Sequence, residues 1–274
     1  MEFITIKVTC PSELIDVLIA ELFEVGFDSF QEFESGFEGS CEHAQFDEEK
    51  VTVIFNSYPN VSFVIKEQEK VNWNEEWEKN YDPIIVGSSC IVRASFHEAQ
   101  PQFQYQIVVT PKMSFGTGHH ATTYQVLDYQ MTLDHQGKKV LDVGTGTGIL
   151  AIMAQKRGAS SITATDIDEW CIENSKENFS LNDVEDVSLI QGQISEVNAS
   201  GFDIIIANIN KNVLLDQIKD YAGRLVEGGQ LILSGFYEQD VKDLEVETGK
   251  HGLEKLKTTT RDKWAMLVLN KLSV

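Results

Sequence analysis

Apolar and polar positions change period along the chain, and the changes mark its elements. Phe3-Ile-Thr-Ile-Lys-Val8 alternates and predicts a strand. Pro11-Ser12-Glu13 opens a helix whose apolar positions Leu14, Val17, Leu18, Leu22 and Val25 fit a 3.6 period, with Gly26 as its stop. Phe27 to Phe33 and Val51-Thr-Val-Ile-Phe55 read as further strands, separated by an acidic loop that contains glycine. Residues 1–65 are therefore expected to form a small α+β domain without a catalytic pattern of its own. Residues 66–82 are charged and helical in propensity, and Pro83 ends them. Within them Trp73, Trp77 and Tyr81 recur at i, i+4 and i+8 and share one helix face. That stripe reads as a linker helix packed on a neighbouring domain, or as an aromatic contact to a ligand.

Residues 83–274 follow a different rhythm. Two apolar stretches, around Ile91-Val92 and Ile107-Val108-Val109, predict a hairpin. Strand patterns at 139–143, 161–165, 187–191, 202–207 and 230–234 then alternate with helical patterns at 149–156, 169–182, 213–226 and 239–248. Such alternation predicts βαβ units and a parallel sheet. The last two strands, 253–259 and 265–269, lack a helix between them, so they must form a hairpin that adds an antiparallel strand at one edge. An α/β architecture with a mostly parallel sheet is expected, preceded by the small domain.

Composition narrows the function. With 22 Lys and Arg against 43 Asp and Glu, the net charge is −21. An acidic surface repels phosphate backbones and favours a cationic partner, so direct nucleic-acid binding is not expected. Cys10, Cys41, Cys90 and Cys171 are scattered, without a CxxC pair, as in a reducing compartment. Neither a signal peptide nor a long apolar run is apparent, so a cytoplasmic protein without membrane attachment is expected, working as a monomer.

The chemistry concentrates at a few strand ends. Asp142-Val-Gly144-Thr-Gly146-Thr-Gly148 lies between a buried strand and a helix, where open α/β sheets bind ligands. Asp166, about 20 positions beyond the glycines at the next strand tip, suits the two hydroxyls of a ribose. Asp168 sits where a helix cap belongs. Position 149 is Ile where the dinucleotide fingerprint requires its third glycine, so a nicotinamide is the weaker reading. Asn208 follows the apolar run Ile204 to Ala207 at a fourth strand tip. It reads as an acceptor for an attacking amine, as a clamp on a ligand, or as an Asx-turn; Asn210 reads as that turn. Phe115-Gly-Thr-Gly-His-His-Ala-Thr-Thr123 suggests a loop that caps a helix and covers a pocket. Its adjacent histidines are poor geometry for one metal, and no metal site is expected. Ser234 is not in GxSxG, so a nucleophilic triad lacks support.

These segments together, preceded by Trp73-Asn-Glu-Glu-Trp77, resemble the bacterial ribosomal protein L11 methyltransferase family. The Phe115–Thr123 segment is the most specific part, and the 1–65 domain resembles the family least. The resemblance implies a Rossmann-like seven-stranded sheet, S-adenosylmethionine as methyl donor, and ribosomal protein L11 as partner, recognised by the N-terminal domain. It also implies methylation of lysine side chains and the N-terminal amine. Carried over by position, Thr123, Gly144, Gly146, Asp166 and Asn208 bind the donor, and Asn208 stands nearest the reacting centre. Ala121 replaces a frequent proline, and Asn208-Ile-Asn210 replaces Asn-Ile-Leu. Alternatives are a methyltransferase for another protein or small-molecule amine, and a sensor that binds the donor without turnover.

Overall fold

A computed structural model describes residues 3–68, 81–112 and 114–273. The chain packs as two units, Met1–Tyr81 and Asp82–Val274. In the first, strands β1 (Phe3–Thr9), β2 (Ser29–Phe33), β3 (Gly36–Glu42) and β4 (Ser62–Gln68) form a sheet of order β2-β3-β1-β4. Helices α1 (Ile15–Glu24) and α2 (Glu48–Asn56) complete the unit. Ile4, Ile6 and Val8 of β1 share a core with Leu18 and Leu22 of α1 and Val51 and Phe55 of α2.

Three expectations for this part are corrected. Val51–Phe55 is helix, not strand. Its β-branched run suits a pleated sheet, but Asp47 caps a helix there by accepting from Lys50 N at 3.2 Å, with Glu48 and Glu49 in the first turn. Val51 and Phe55 point inward four residues apart, while Val53 is 67% exposed; a strand would place all three on one face. The acidic loop contains β3, whose Gly36-Phe-Glu-Gly-Ser-Cys-Glu42 carries too little apolar alternation to be read as a strand. Residues 66–68 belong to β4, so a helix does not begin at 66. The remainder of the expected 66–82 helix, with Trp73 and Trp77, falls on 69–80, outside the described residues.

The second unit opens with a three-stranded sheet, β5 (Ile84–Val86), β6 (Cys90–Ala94) and β7 (Tyr105–Val109). The expected hairpin between the two apolar stretches is corrected: β6 and β7 run parallel, and the antiparallel partner of β6 is β5. The segment 95–104 is long enough to return the chain in the same direction. Helix α3 (Ala121–Thr132) follows. The main sheet contains β8 (Lys139–Val143), β9 (Ser161–Asp166), β10 (Val187–Gln191), β11 (Phe202–Asn208), β12 (Leu225–Tyr237), β13 (Leu253–Arg261) and β14 (Trp264–Lys271). Its order is β10-β9-β8-β11-β12-β14-β13, and the first five strands are parallel. Helices α4 (Ile149–Lys156), α5 (Glu169–Leu181), α6 (Lys211–Arg224) and α7 (Val241–Gly249) make the connections. The antiparallel strand is β14, inserted one place inside the edge, and β13 forms the edge itself. This corrects the expected edge position of the antiparallel strand.

Strand β11 is buried on both faces, which explains its unbroken apolar run. Ile204 and Ile206 enter the core shared with Ile149, Ile152 and Val126, while Ile205 and Ala207 enter the opposite one with Leu214 and Ile218. Helix α5 fastens the edge strand β7 through amide side chains four residues apart. Asn182 accepts from Val108 N at 2.9 Å and donates to Val108 O at 2.6 Å; Asn178 accepts from Thr110 N at 2.8 Å. Asn182→Ala therefore strips both backbone groups of Val108 of their partner and should cost about 1–3 kcal/mol. A lowered urea midpoint of the full chain checks this; an unchanged midpoint rejects the fastening role.

Candidate functional site

Chain order reverses between β8 and β11: from β8 the sheet grows outward through β9 and β10 on one side, and through β11 and β12 on the other. Ligands in open α/β sheets bind in the crevice outside the carboxyl ends at such a point. Here a cleft of about 650 Å³ lies along that edge. In strand order its wall presents Gln193 after β10, Asp166 on β9, Gly144 after β8, Asn208 on β11, Gly235 in β12 and Trp264 on β14. Neighbouring strands lie about 4.8 Å apart, so Asp166 and Trp264, four strands distant, stand roughly 19 Å apart along the cleft.

The tips of β8 and β9 hold one another. Gly144 N and Thr145 N both donate to Thr165 O, at 2.8 and 2.9 Å. Gly146 N donates to Asp166 Oδ2 at 2.9 Å, and Asp168 N to Asp166 Oδ1 at 3.1 Å. The turn requires glycine. Gly144 has φ +70 and a Cβ there would meet Ile209 Cγ2 at 2.2 Å; Gly146 has φ +55 and a Cβ would meet the Phe115 carbonyl oxygen at 2.2 Å. Phe115 is held there because Thr147 N donates to its carbonyl at 3.0 Å and Thr147 Oγ1 donates to Gly116 O.

Asp166 is 9% exposed on the cleft, with one protein donor on each carboxylate oxygen and further lone pairs available. Asn208, 7% exposed, donates through Nδ2 to Thr123 Oγ1 at 3.3 Å, while its buried Oδ1 has no partner. A buried amide oxygen left unpartnered beside a cleft is a position for a ligand donor. Thr123 is fully buried on α3 and meets the site through Asn208. Asp168 caps α5 by accepting from Trp170 N at 2.9 Å, and Asn210 caps α6 by accepting from Val213 N at 3.2 Å. Both are therefore turn formers.

Several cleft residues carry no sequence signal. Ile167, directly after Asp166, is exposed on the wall, and Gln193, Cys171 and Ser114 join it from three other segments. Phe115, His120, Trp264 and Tyr237 form a continuous series of ring contacts, with centroids 5.1, 4.6 and 4.2 Å apart in that order. His120 caps α3, its Nδ1 accepting from Thr122 N. Burial pushes its pKa below the ordinary imidazole value. Among the described residues no group of three His, Cys, Asp or Glu could hold a metal ion.

Behind the glycine turn, Asp142 is fully buried; its Oδ2 accepts from Thr145 Oγ1 at 2.7 Å and its Oδ1 has no partner. Burial raises its pKa to about 7, Thr145 opposes the rise, and the nearby Asp166 charge adds to it. A carboxyl raised above its unfolded value favours the neutral form, so folding stability is highest below pH 4 as far as this group is concerned. The penalty grows as pH rises from the unfolded value and is complete once pH passes about 7. Comparing unfolding free energies of wild type and Asp142→Asn between pH 5 and 8 should show the wild type losing on the order of 3 kcal/mol relative to the variant. Parallel pH profiles would contradict the assignment.

A family model described as "Ribosomal protein L11 methyltransferase (PrmA)" matches residues 12–272. A protein of that name from Bacteroides fragilis is 41% identical over 262 residues, covering 93% of this chain and 94% of the relative. Its counterpart from Porphyromonas gingivalis is 42% identical over 258 residues, covering 92% and 89%. Among solved structures, a ribosomal protein L11 methylase from Lactobacillus delbrueckii subsp. bulgaricus superposes with a TM-score of 0.65 at 30% identity, over 70% of this chain and 99% of that one. With a strand-tip carboxylate, a glycine turn and an open amide oxygen on one sheet edge, and a match running from the first helix to the last strand, this chain belongs to the ribosomal protein L11 methyltransferase family.

Proposed function

We propose that this chain transfers methyl groups from S-adenosylmethionine to lysine side-chain and N-terminal amines of ribosomal protein L11. Asp166, Gly144, Gly146 and Asn208 hold the donor on this reading, Thr123 contributes through its hydrogen bond with Asn208, and Asn208 also faces the reacting nitrogen. One observation carries the assignment: the partly engaged Asp166 carboxylate, the glycine turn and the open Asn208 Oδ1 stand side by side on three adjacent strand tips. When bound, the donor supplies a methyl carbon on a positively charged sulfur. Asp166 keeps acceptor capacity for ribose hydroxyls, and the turn brings backbone without side chains against the rest of the molecule. Asn208 Oδ1 accepts from an amine N–H and thereby aims the nitrogen lone pair. Alignment of an already activated methyl group supplies much of the acceleration.

The acceptor must lose a proton before it attacks, since a lysine amine of pKa about 10.4 is mostly charged at neutral pH. Solvent or a backbone carbonyl takes that proton in this reading. The N-terminal α+β unit, residues 1–65, is the recognition module, followed by a linker over 66–82. The first 68 residues hold 14 acidic and 3 basic residues, half of the chain's net charge in a quarter of its length. Such a field steers a cationic protein toward the enzyme. The free thiols of Cys10, Cys41, Cys90 and Cys171 support a cytoplasmic setting for the reaction on this reading.

Two measurements test the proposal. Incubating the protein with L11 and S-adenosylmethionine should add methyl groups to L11 amines by mass spectrometry; unmodified L11 alongside a methylated different amine would favour the alternative substrate. Asp166→Ala removes a charged acceptor worth about 3 kcal/mol to two hydroxyls, so S-adenosylhomocysteine affinity should fall about 100-fold by calorimetry. Unaltered affinity would refute the ribose assignment.

A further inference from the structure

We infer that Phe115, His120 and Trp264, with Tyr237 stacked against Trp264, form the acceptor half of the cleft, an aromatic wall that holds the cationic head of the amine substrate beyond Asn208. The inference rests on the methyl-transfer reading above and names a subsite within it. Along the sheet edge the residues assigned to the donor occupy β9, β8 and β11, while Trp264 stands on β14, two strands past Asn208. Among the described residues no carboxylate from β12 or β14 lines the cleft; its carboxylates are Asp166 and Asp168, and Gly235, Trp264, His120 and Phe115 share the rest of the lining with neutral residues that include Asn210, Val213 and Gln217. A cation there meets ring faces in place of a counter-ion.

The wall is built to stay in place. Tyr237 and Trp264 are register partners on β12 and β14, and their rings stack with centroids 4.2 Å apart and planes 29° apart. His120 meets Trp264 edge-on at 4.6 Å, and Phe115 meets His120 at 5.1 Å. Thr147 ties Phe115 to the glycine turn, so the wall and the donor loop move together. Yet Phe115 remains 51% and Tyr237 45% exposed. Aromatic rings fixed by one another but left open to solvent form a prepared surface for a ligand. Its uncharged character is preserved because burial disfavours the imidazolium of His120, which would repel an incoming cation.

The chemistry of the reaction suits such a surface. Each transfer forms an N–C bond while the S–C bond breaks with its electron pair retained by sulfur. The nitrogen then carries positive charge until a proton leaves to solvent. The amine reaches the wall as a cation and gives up its proton to solvent before it attacks, and every methylated product is again a cation at neutral pH, broad and poorly hydrated once methylated. An aromatic face attracts these cationic heads and, once the proton has left, does not hydrogen-bond the lone pair needed for attack.

Two peptides distinguish this attraction from simple packing: one carrying trimethyllysine, the other its neutral tert-butyl isostere. Each is titrated into the full chain saturated with S-adenosylhomocysteine. Wild type should bind the cationic peptide about tenfold more tightly. Trp264→Leu should bring the ratio near one, Trp264→Phe should restore most of it, and S-adenosylhomocysteine affinity should hold in both. Equal binding of the two peptides by wild type, or a ratio unmoved in Trp264→Leu, overturns the aromatic wall while leaving methyl transfer intact. Failure of wild type to bind S-adenosylhomocysteine at all would instead overturn the methyl-transfer reading.

Discussion

The site depends on a mutual hold between the tips of two neighbouring strands. Asp166 Oδ2 accepts from Gly146 N, and Thr165 O accepts from both Gly144 N and Thr145 N. Each strand therefore satisfies buried polar groups of the other, and neither tip can shift without leaving a donor unpaired. A third segment locks onto the same point, since the Phe115 carbonyl occupies the space a Gly146 Cβ would need. Backbone, not side chain, defines this part of the cleft. It can consequently lie close to a ligand while remaining rigid, which is the condition for alignment to act as catalysis.

Two carboxylates within this turn occupy opposite environments. Asp142 is sealed, with one hydroxyl donor and a pKa pushed up to about 7. Asp166 receives two backbone N–H groups at the rim and faces the cleft. Their separation of roles follows from position on the strand: the residue before the glycines points into the layer under α4, and the residue at the next tip has run out of sheet. A donor bearing positive charge and an acceptor bearing positive charge both enter a chain of net charge −21, so encounter is favoured for each. Inside, however, the acceptor half replaces charge by aromatic faces, which attract a cation without fixing its proton.

The catalytic sheet was legible because its central strands are buried on both faces and end in glycine or a polar residue. Ile204 to Ala207 could belong to nothing but an interior strand, and Gly144, Asp166 and Asn208 each mark the point where such a run stops. The N-terminal unit was less legible. Val51–Phe55 has strand propensity and helix capping together, and capping and burial prevailed. Parallel pairing of β6 with β7 was hidden because apolar runs carry no direction. In the site, Trp264 and Tyr237 gave no signal, since their convergence depends on which strand lies beside β12, whereas Phe115 belongs to the segment expected to cover a pocket. Sequence distance conceals it: Trp264 meets His120 from near the end of the chain.

That strand order has a direct consequence for the cleft. Because β14 is antiparallel and lies next to β12, its first residue, not its last, stands at the edge where the parallel strands end. The turn that delivers it contains only Asp262 and Lys263, both with positive φ, between the paired residues Arg261 and Trp264. Two-residue turns of this kind match the twist of a hairpin and fix its register. Trp264 therefore emerges directly from a rigid turn, opposite Tyr237, and cannot drift along the edge. A helical crossover would have brought the next strand in parallel, with its first residue at the far end of the sheet. The inserted hairpin is thus what allows an aromatic side chain to close the cleft on the acceptor side.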